Sequence, residues 1–326
     1  MSNPSAVRRR VLQSIGALAL PALPWAAHAQ GDRPVRFVLP NATGSGVDAI
    51  TRAMQPALAR LIGNNVIVEN QPGAGGIVGL QTLARAAPDG HTLSVVSNNV
   101  VIFPSIQKSL PFDVQADFTP IAICGYTPVV LVVNPKVPAK DAKELVALLK
   151  AKPDGLNYGS SGPGTILHLA TAMFLDETDT KARHVPYKGV GPMVTDLLGG
   201  HVDFATAALP SVQGHLKTGA LRAIGVTTDK RVAAAPEIPT FVEQGVPKYV
   251  VEAWFGVLGP KGMAPAEVQR IRDAVAAALA APEVREVMDK QGNVINVSTP
   301  DAAQRFMRSE MAKYAALSKK IGLEAQ

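Results

Sequence analysis

Two short stretches carry the residues best suited to chemistry. One is NATGSGVDAI, residues 41–50, and the other is YGSSGPGTILHL, residues 158–169. Each sets Gly and Ser between a short extended run and a helical pattern. Backbone N–H groups can crowd around one point there, because nothing larger than a hydroxymethyl intervenes. At a helix N-terminus those N–H groups have no intrahelical partner, and the helix dipole favours negative charge. The chemistry offered is anion binding by main-chain donors. The plainer reading of either turn alone is helix capping, by Ser45 in the first and Ser161 in the second.

Catalytic arrangements are missing from the same residues. The six histidines form no H-E-x-x-H, and one cysteine forbids a C-x-x-C pair, so no metal site is expected. The run around Ser161 fails as a nucleophile elbow because Pro163 stands where G-x-S-x-G needs glycine. GSGVDA lacks the Lys-Ser/Thr of a phosphate-binding P-loop, and Ala49 replaces the third glycine of a dinucleotide fingerprint. No cofactor is expected, and no nucleophile–base pair suggests an enzyme.

The elements that must hold these turns alternate. Val35–Leu39 reads as a strand. Val47, Ile50, Met54, Ala57, Leu58 and Leu61 then recur at helical spacing, with Pro56 expected to kink or split that helix. NVIVEN, TLSVVS and VVLVVNP read as strands, and GGIVGLQTLARAAPDG as a helix between the first two of them. In the middle third, DAKELVALLKAKPDG is helical and LNYGS is a short strand. Ile166, Leu169, Ala170, Met173 and Phe174 mark a helix stripe, which leaves Thr165 and His168 facing the loop or a cleft. ARHVPY, VDFATAAL and LRAIGVTT are strands, with GPMVTDLLGG a helix before the second. From VEAWFGVLGP onward comes one strand and then mostly helix. Strands separated by helices predict crossover connections and largely parallel sheets.

The first 29 residues stand apart. Arg8-Arg9-Arg10, an apolar stretch from Val11 to Leu23 and Ala27-His28-Ala29 follow the order of a cleaved export signal, by the general or the twin-arginine route. That segment holds three of the 32 basic residues and no acidic one, which leaves 29 basic against 26 acidic in the mature chain. A balance so close to neutral, with no basic run interleaved with aromatics, argues against nucleic acid as a partner. Cys124 lies in an apolar run, PIAICGY, as a buried structural thiol would.

Four longer stretches carry a family resemblance. VENQPGAGGIVGLQTLARAAPDGHTL, LNYGSSGPGTILHLA, HVPYKGVGPMVTDLLGGHVDF and VEAWFGVLGPKGMAP closely resemble the substrate-binding proteins of tripartite tricarboxylate transporters, the Bug or TctC family. The likeness runs over roughly residues 33–323. It implies an α/β fold of the type II periplasmic binding-protein kind, with a ligand cleft between two α/β lobes. Lobe one would be residues 31–130 plus 252–326, and lobe two 131–251, with crossings near Val132 and Ala253 acting as a hinge. It also implies a small carboxylate ligand and a monomer that serves membrane subunits of the transporter.

The family's site residues map onto this chain as follows. The first carboxylate loop would run from Asn41 to Asp48 and include Thr43. Gly44, Gly46 and Asp48 match a G-G-G-x-D pattern in which Ser45 replaces the middle glycine. Asn41 stands where an aromatic is common. Ser97, Asn98 and Asn99 follow the third strand, where the family has small polar residues. Ser160, Ser161, Gly162, Thr165 and His168 would form the second loop, and Tyr187 would reach the cleft. Ala207 sits where Asp or Asn is common. An absent carboxylate at 207 disfavours an amino-acid ligand and points to a non-amino mono- or dicarboxylate, aliphatic or aromatic. The other readings are a ligand sensor for a signalling partner and a periplasmic enzyme.

The leader makes a first prediction. The exported protein should begin near Gln30, and its intact mass should lack residues 1–29. A mass that retains them would refute the cleavage.

Overall fold

The computed structural model describes residues 33–323, so the expected export signal lies outside the described residues. Among the described residues are eleven strands and ten α-helices in two sheets. The first sheet draws on both ends of the chain. β1 (Val35–Leu39) lies parallel to β2 (Val66–Asn70) and β3 (Thr92–Ser97). β10 (Ala253–Pro260) then pairs antiparallel with β3 and with β4 (Phe118–Thr127), and β11 (Val294–Ile295) edges β4. The resulting order is β11-β4-β10-β3-β1-β2.

The second sheet, β7-β6-β8-β5-β9, is contiguous in sequence. β5 (Val129–Val133) pairs antiparallel with β8 (Phe204–Ala208) and β9 (Arg222–Val226), while β6 (Asn157–Ser160) lies parallel to β7 (Arg183–Pro186) and β8. β5 begins one residue after β4 ends and pairs wholly within the second sheet.

The sheets are therefore mixed rather than largely parallel. Crossover reasoning holds only where a helix separates consecutive strands. β4 runs into β5 through Pro128 alone, and β10 arrives from the other sheet after a stretch without helix, so neither is bound by it. The parallel pairs are those that flank the two Gly/Ser turns.

Helix α1 (Gly46–Ile62) is a single helix with Pro56 inside it, not split as expected. Its apolar face, Ile50, Met54, Ala57 and Leu58, is buried against the first sheet's core of Phe37, Leu93, Val257 and Ile271. That packing outweighs the one backbone bond a proline removes. A 3₁₀ turn (Ala74–Gly76) leads into α2 (Ile77–Ala84), so the second helix starts later than its pattern suggested. Helices α3 (Asn99–Ile106) and α10 (Pro300–Lys320) pack together beside β4. In the second half, α4 (Ala142–Ala151), α5 (Ile166–Glu177), α6 (Val190–Gly199) and α7 (Leu209–Lys217) surround the second sheet. α8 (Pro265–Ala280) and α9 (Pro282–Lys290) precede β11. No described helix is long and apolar enough to cross a membrane. Cys124 is buried, and desolvation pushes its thiol up to about 12, so it is inert packing.

Asn98 anchors the start of α3. It is fully buried and meets three partners. Its Nδ2 donates to the Glu252 carbonyl at 3.2 Å and to the Tyr314 hydroxyl at 2.7 Å, and its Oδ1 accepts from the Trp254 N–H at 3.0 Å. One amide thus ties β3 to β10 and to α10. The Trp254 indole continues the network by donating to Glu310 at 3.1 Å. Removing the amide strands a buried N–H and a buried hydroxyl. Asn98→Ala should lower unfolding free energy by about 1–3 kcal/mol, read as a drop in the urea midpoint at unchanged slope.

Candidate functional site

The β1–α1 turn is locked from within. Ser45 is the N-cap of α1, its Oγ accepting the Asp48 N–H at 3.2 Å. Asp48 is buried, and its carboxylate accepts from the Gly44 N–H at 3.0 Å, from Arg52 Nε at 2.8 Å and from Asn70 Nδ2 at 3.0 Å. Asn70 also donates to the Asn41 carbonyl. Asp48 therefore spends its charge on the loop and not on a ligand. Gly44 takes a left-handed φ of 81°, which favours glycine.

The β6–α5 turn is built differently. Thr165, not Ser161, caps α5, its Oγ1 accepting the His168 N–H at 3.4 Å and donating to the Gly162 carbonyl at 2.9 Å. Ser161 Oγ donates to Thr165 Oγ1 at 3.0 Å. Beneath the turn, His168 Nδ1 accepts the Gly164 N–H at 3.0 Å, and His184 Nε2 meets Ser160 Oγ at 2.6 Å. The two imidazoles stack, centroids 4.0 Å apart and 7° from parallel, with Tyr158 beside them. Burial holds His184 down to about 4, and burial together with His184 holds His168 down to about 3. The pair is a neutral prop under the loop.

The two turns meet across a narrow crevice of about 20 Å³, room for little more than one water and far smaller than a ligand site, so the walls must part to admit a ligand. Asn41, Ser45, Asn99, Ser161 and Thr165 line it, all of them expected from the sequence. Asn99 spans it: Nδ2 donates to the Gly75 carbonyl at 3.3 Å and Oδ1 accepts the Ile166 N–H of α5 at 2.9 Å. Ser211 Oγ donates to the Gly44 carbonyl at 3.0 Å, which ties α7 to the first turn.

Other expected residues support the crevice from outside it. Thr43 and Gly44 are exposed beside it. Ser160 is buried against His184, and the Gly162 N–H donates to Ser160 Oγ. Ser97 ends β3, opposite Phe255. Asn98 is committed to the β10–α10 network and offers no donor to the first loop. Tyr187 turns its hydroxyl to Asp196 at 2.7 Å instead of the cleft; burial and then Asp196 push it up to about 12. Ala207 is in the core of the second sheet. Strand alternation puts its neighbour Ala208 on the other face, where a Cβ at Gly46 would come within 3.2 Å of the Ala208 methyl. Gly46 has no left-handed φ, so close approach and not backbone strain requires glycine there.

Sequence reasoning passed over Lys188, Gly189 and Val190, which line the crevice one to three residues after Tyr187, and Gly73, Gly75 and Gly76, which line its other wall. The signal was present in PYKG and QPGAGG. A Cβ at Gly189 would lie 2.6 Å from that of Ala42, so the glycine lets the two walls touch. No Asp or Glu lines the crevice, and one exposed lysine, Lys188, does. Among the described residues no cluster of His, Cys, Asp and Glu could hold a metal.

Known proteins share this sequence pattern and this fold. Residues 50–323 match the family model of the tripartite tricarboxylate transporter family receptor. The periplasmic binding protein BugD superposes at a TM-score of 0.87 with 31% identity, over 90% of this chain and 99% of its own. A protein of R. palustris solved with adipate gives a TM-score of 0.87 at 28% identity, over 93% of this chain and 100% of its own. MatC from Rhodopseudomonas palustris, with bound malate, gives 0.82 at 28% identity, over 87% and 98%.

The histidine pair generates a prediction. Both imidazoles sit below the ordinary value near 6.5, so the unfolded chain takes up protons first as pH falls. Stability should therefore decline from about pH 6.5 toward pH 4. Melting temperatures at pH 7.5 and 5 should show that decline, and His168→Asn with His184→Gln should flatten it. An equal decline in the double variant would assign it to other groups.

Proposed function

The chain belongs to the tripartite tricarboxylate transporter receptor family, and on that premise we propose that it captures a small non-amino carboxylate between its two turns and delivers it to the membrane subunits of such a transporter. It is a solute-binding protein of the periplasmic kind, not an enzyme. The observation that carries the ligand class is the crevice: two helix N-terminal turns face one space lined by a lysine and no carboxylate. Main-chain N–H groups and that lysine hold a carboxylate, and no base or nucleophile is aimed at it. Adipate and malate in the related proteins support the same class. A dicarboxylate would give one end to each turn.

Capture would come by closure of two lobes, residues 31–130 plus 252–326 against 131–251, about crossings near Val132 and Ala253. The hydrogen bonds from Ile166 to Asn99 and from Ser211 to Gly44 are of the kind that close such a cleft.

A thermal-shift screen against aliphatic and aromatic mono- and dicarboxylates tests the ligand class. A true ligand at 100 times its Kd should add about 2.7 kcal/mol of stability. The mode of capture is tested by Gly46→Val. A valine would place methyl groups against Ala208 and Thr127 and prop the turn away from the second sheet. Calorimetry should find affinity reduced at least about tenfold, or ~1.4 kcal/mol, with circular dichroism unchanged. A folded variant that binds as tightly as the parent would refute closure on this turn.

A further inference from the structure

We propose that Asn41 makes the chain selective for a carboxylate that bears a neutral hydroxyl close to its carboxyl group, an inference that rests on the carboxylate reading above. Asn41 lines the crevice at the end of β1, and its Oδ1 is sealed from solvent with no hydrogen-bond partner among the described residues. An amide oxygen is an acceptor only. A buried acceptor left unpaired is costly, so the site favours a ligand that brings a donor.

No donor among the described residues reaches it. Ser161 donates to Thr165, Thr165 to the Gly162 carbonyl, and one Asn99 Nδ2 hydrogen to the Gly75 carbonyl. The donor must therefore come with the ligand. Its charge follows from the lining. An ammonium would find no carboxylate in the crevice and would meet the positive charge of Lys188. A hydroxyl has neither difficulty. Its position follows from the turn: Asn41 and the capping Ser45 stand in one turn, so a group reaching Asn41 lies next to a carboxylate held at the start of α1. A site built to pair with a substrate hydroxyl rejects the analogue that lacks it, because its own polar group is then left unpaired.

The experiment is calorimetry of the mature chain with pairs that share a skeleton: malate and succinate, lactate and propionate, mandelate and phenylacetate, with aspartate as the charged counterpart of malate. In whichever pair binds, the hydroxy acid should be at least tenfold tighter. Asn41→Leu should bring that ratio to within twofold by weakening the hydroxy acid and sparing its partner. A wild-type ratio within twofold overturns the proposal, and needs no variant to fold. So does aspartate binding as tightly as malate, or a variant that weakens both members equally, since the amide would then be holding the carboxylate itself. Failure of every carboxylate to bind is a different result: it removes the carboxylate reading, and this inference with it.

Discussion

At two places beside the crevice the backbone of one wall comes so close to the other that a side chain would be crowded. A Cβ at Gly189 would lie 2.6 Å from that of Ala42, and one at Gly46 would lie 3.2 Å from that of Ala208. In the capture proposed above, the donors offered to a ligand would be main-chain groups, which have no side-chain reach of their own. Glycine is the only residue that lets peptide planes converge so closely. The remaining elements hold these planes in register: Asp48 and Asn70 brace one turn, Thr165 and the histidine pair brace the other, and Asn98 fixes α3 against β10.

This arrangement separates recognition from support by residue type. Charged side chains near the site are turned inward. Asp48 is taken up by Arg52 and backbone, and Asp196 by Tyr187. The imidazoles are kept neutral by burial. What remains facing the crevice is neutral and polar apart from one lysine. A site of that kind attracts an anion through fixed dipoles and binds it without moving a proton.

Much of this was legible in the chain itself. β3 occupies the whole of TLSVVS, and Ser45 caps α1 as the plainer reading of its turn suggested, because strand alternation and turn chemistry are local properties. The failures came where local pattern meets tertiary contact. Pro56 was tolerated because a buried face outweighs one lost bond. Asn98 looked like a ligand donor until its partners proved to be residues more than 150 positions away. Ala207 and Ala208 differ by one residue and face opposite sides, a distinction that needs the sheet register. Tyr187 drew attention from Lys188 because an aromatic is the more conspicuous residue. No local rule says which of two neighbours lines a crevice formed by another segment.

The strand order also bears on how the molecule is assembled. The second sheet has all five strands once residue 226 has been made, and they are contiguous in the chain. The first sheet does not: β10, at residues 253–260, lies between β3 and β4 and holds both. A chain that emerges from its N-terminus therefore carries β1 to β4 for more than a hundred residues with their central partner missing. Such pairing over long sequence separation is slow, and open strand edges invite wrong partners while they wait. The order in which the halves can be completed is the reverse of the order in which they begin, and the half that starts the polypeptide is the last to become a finished body.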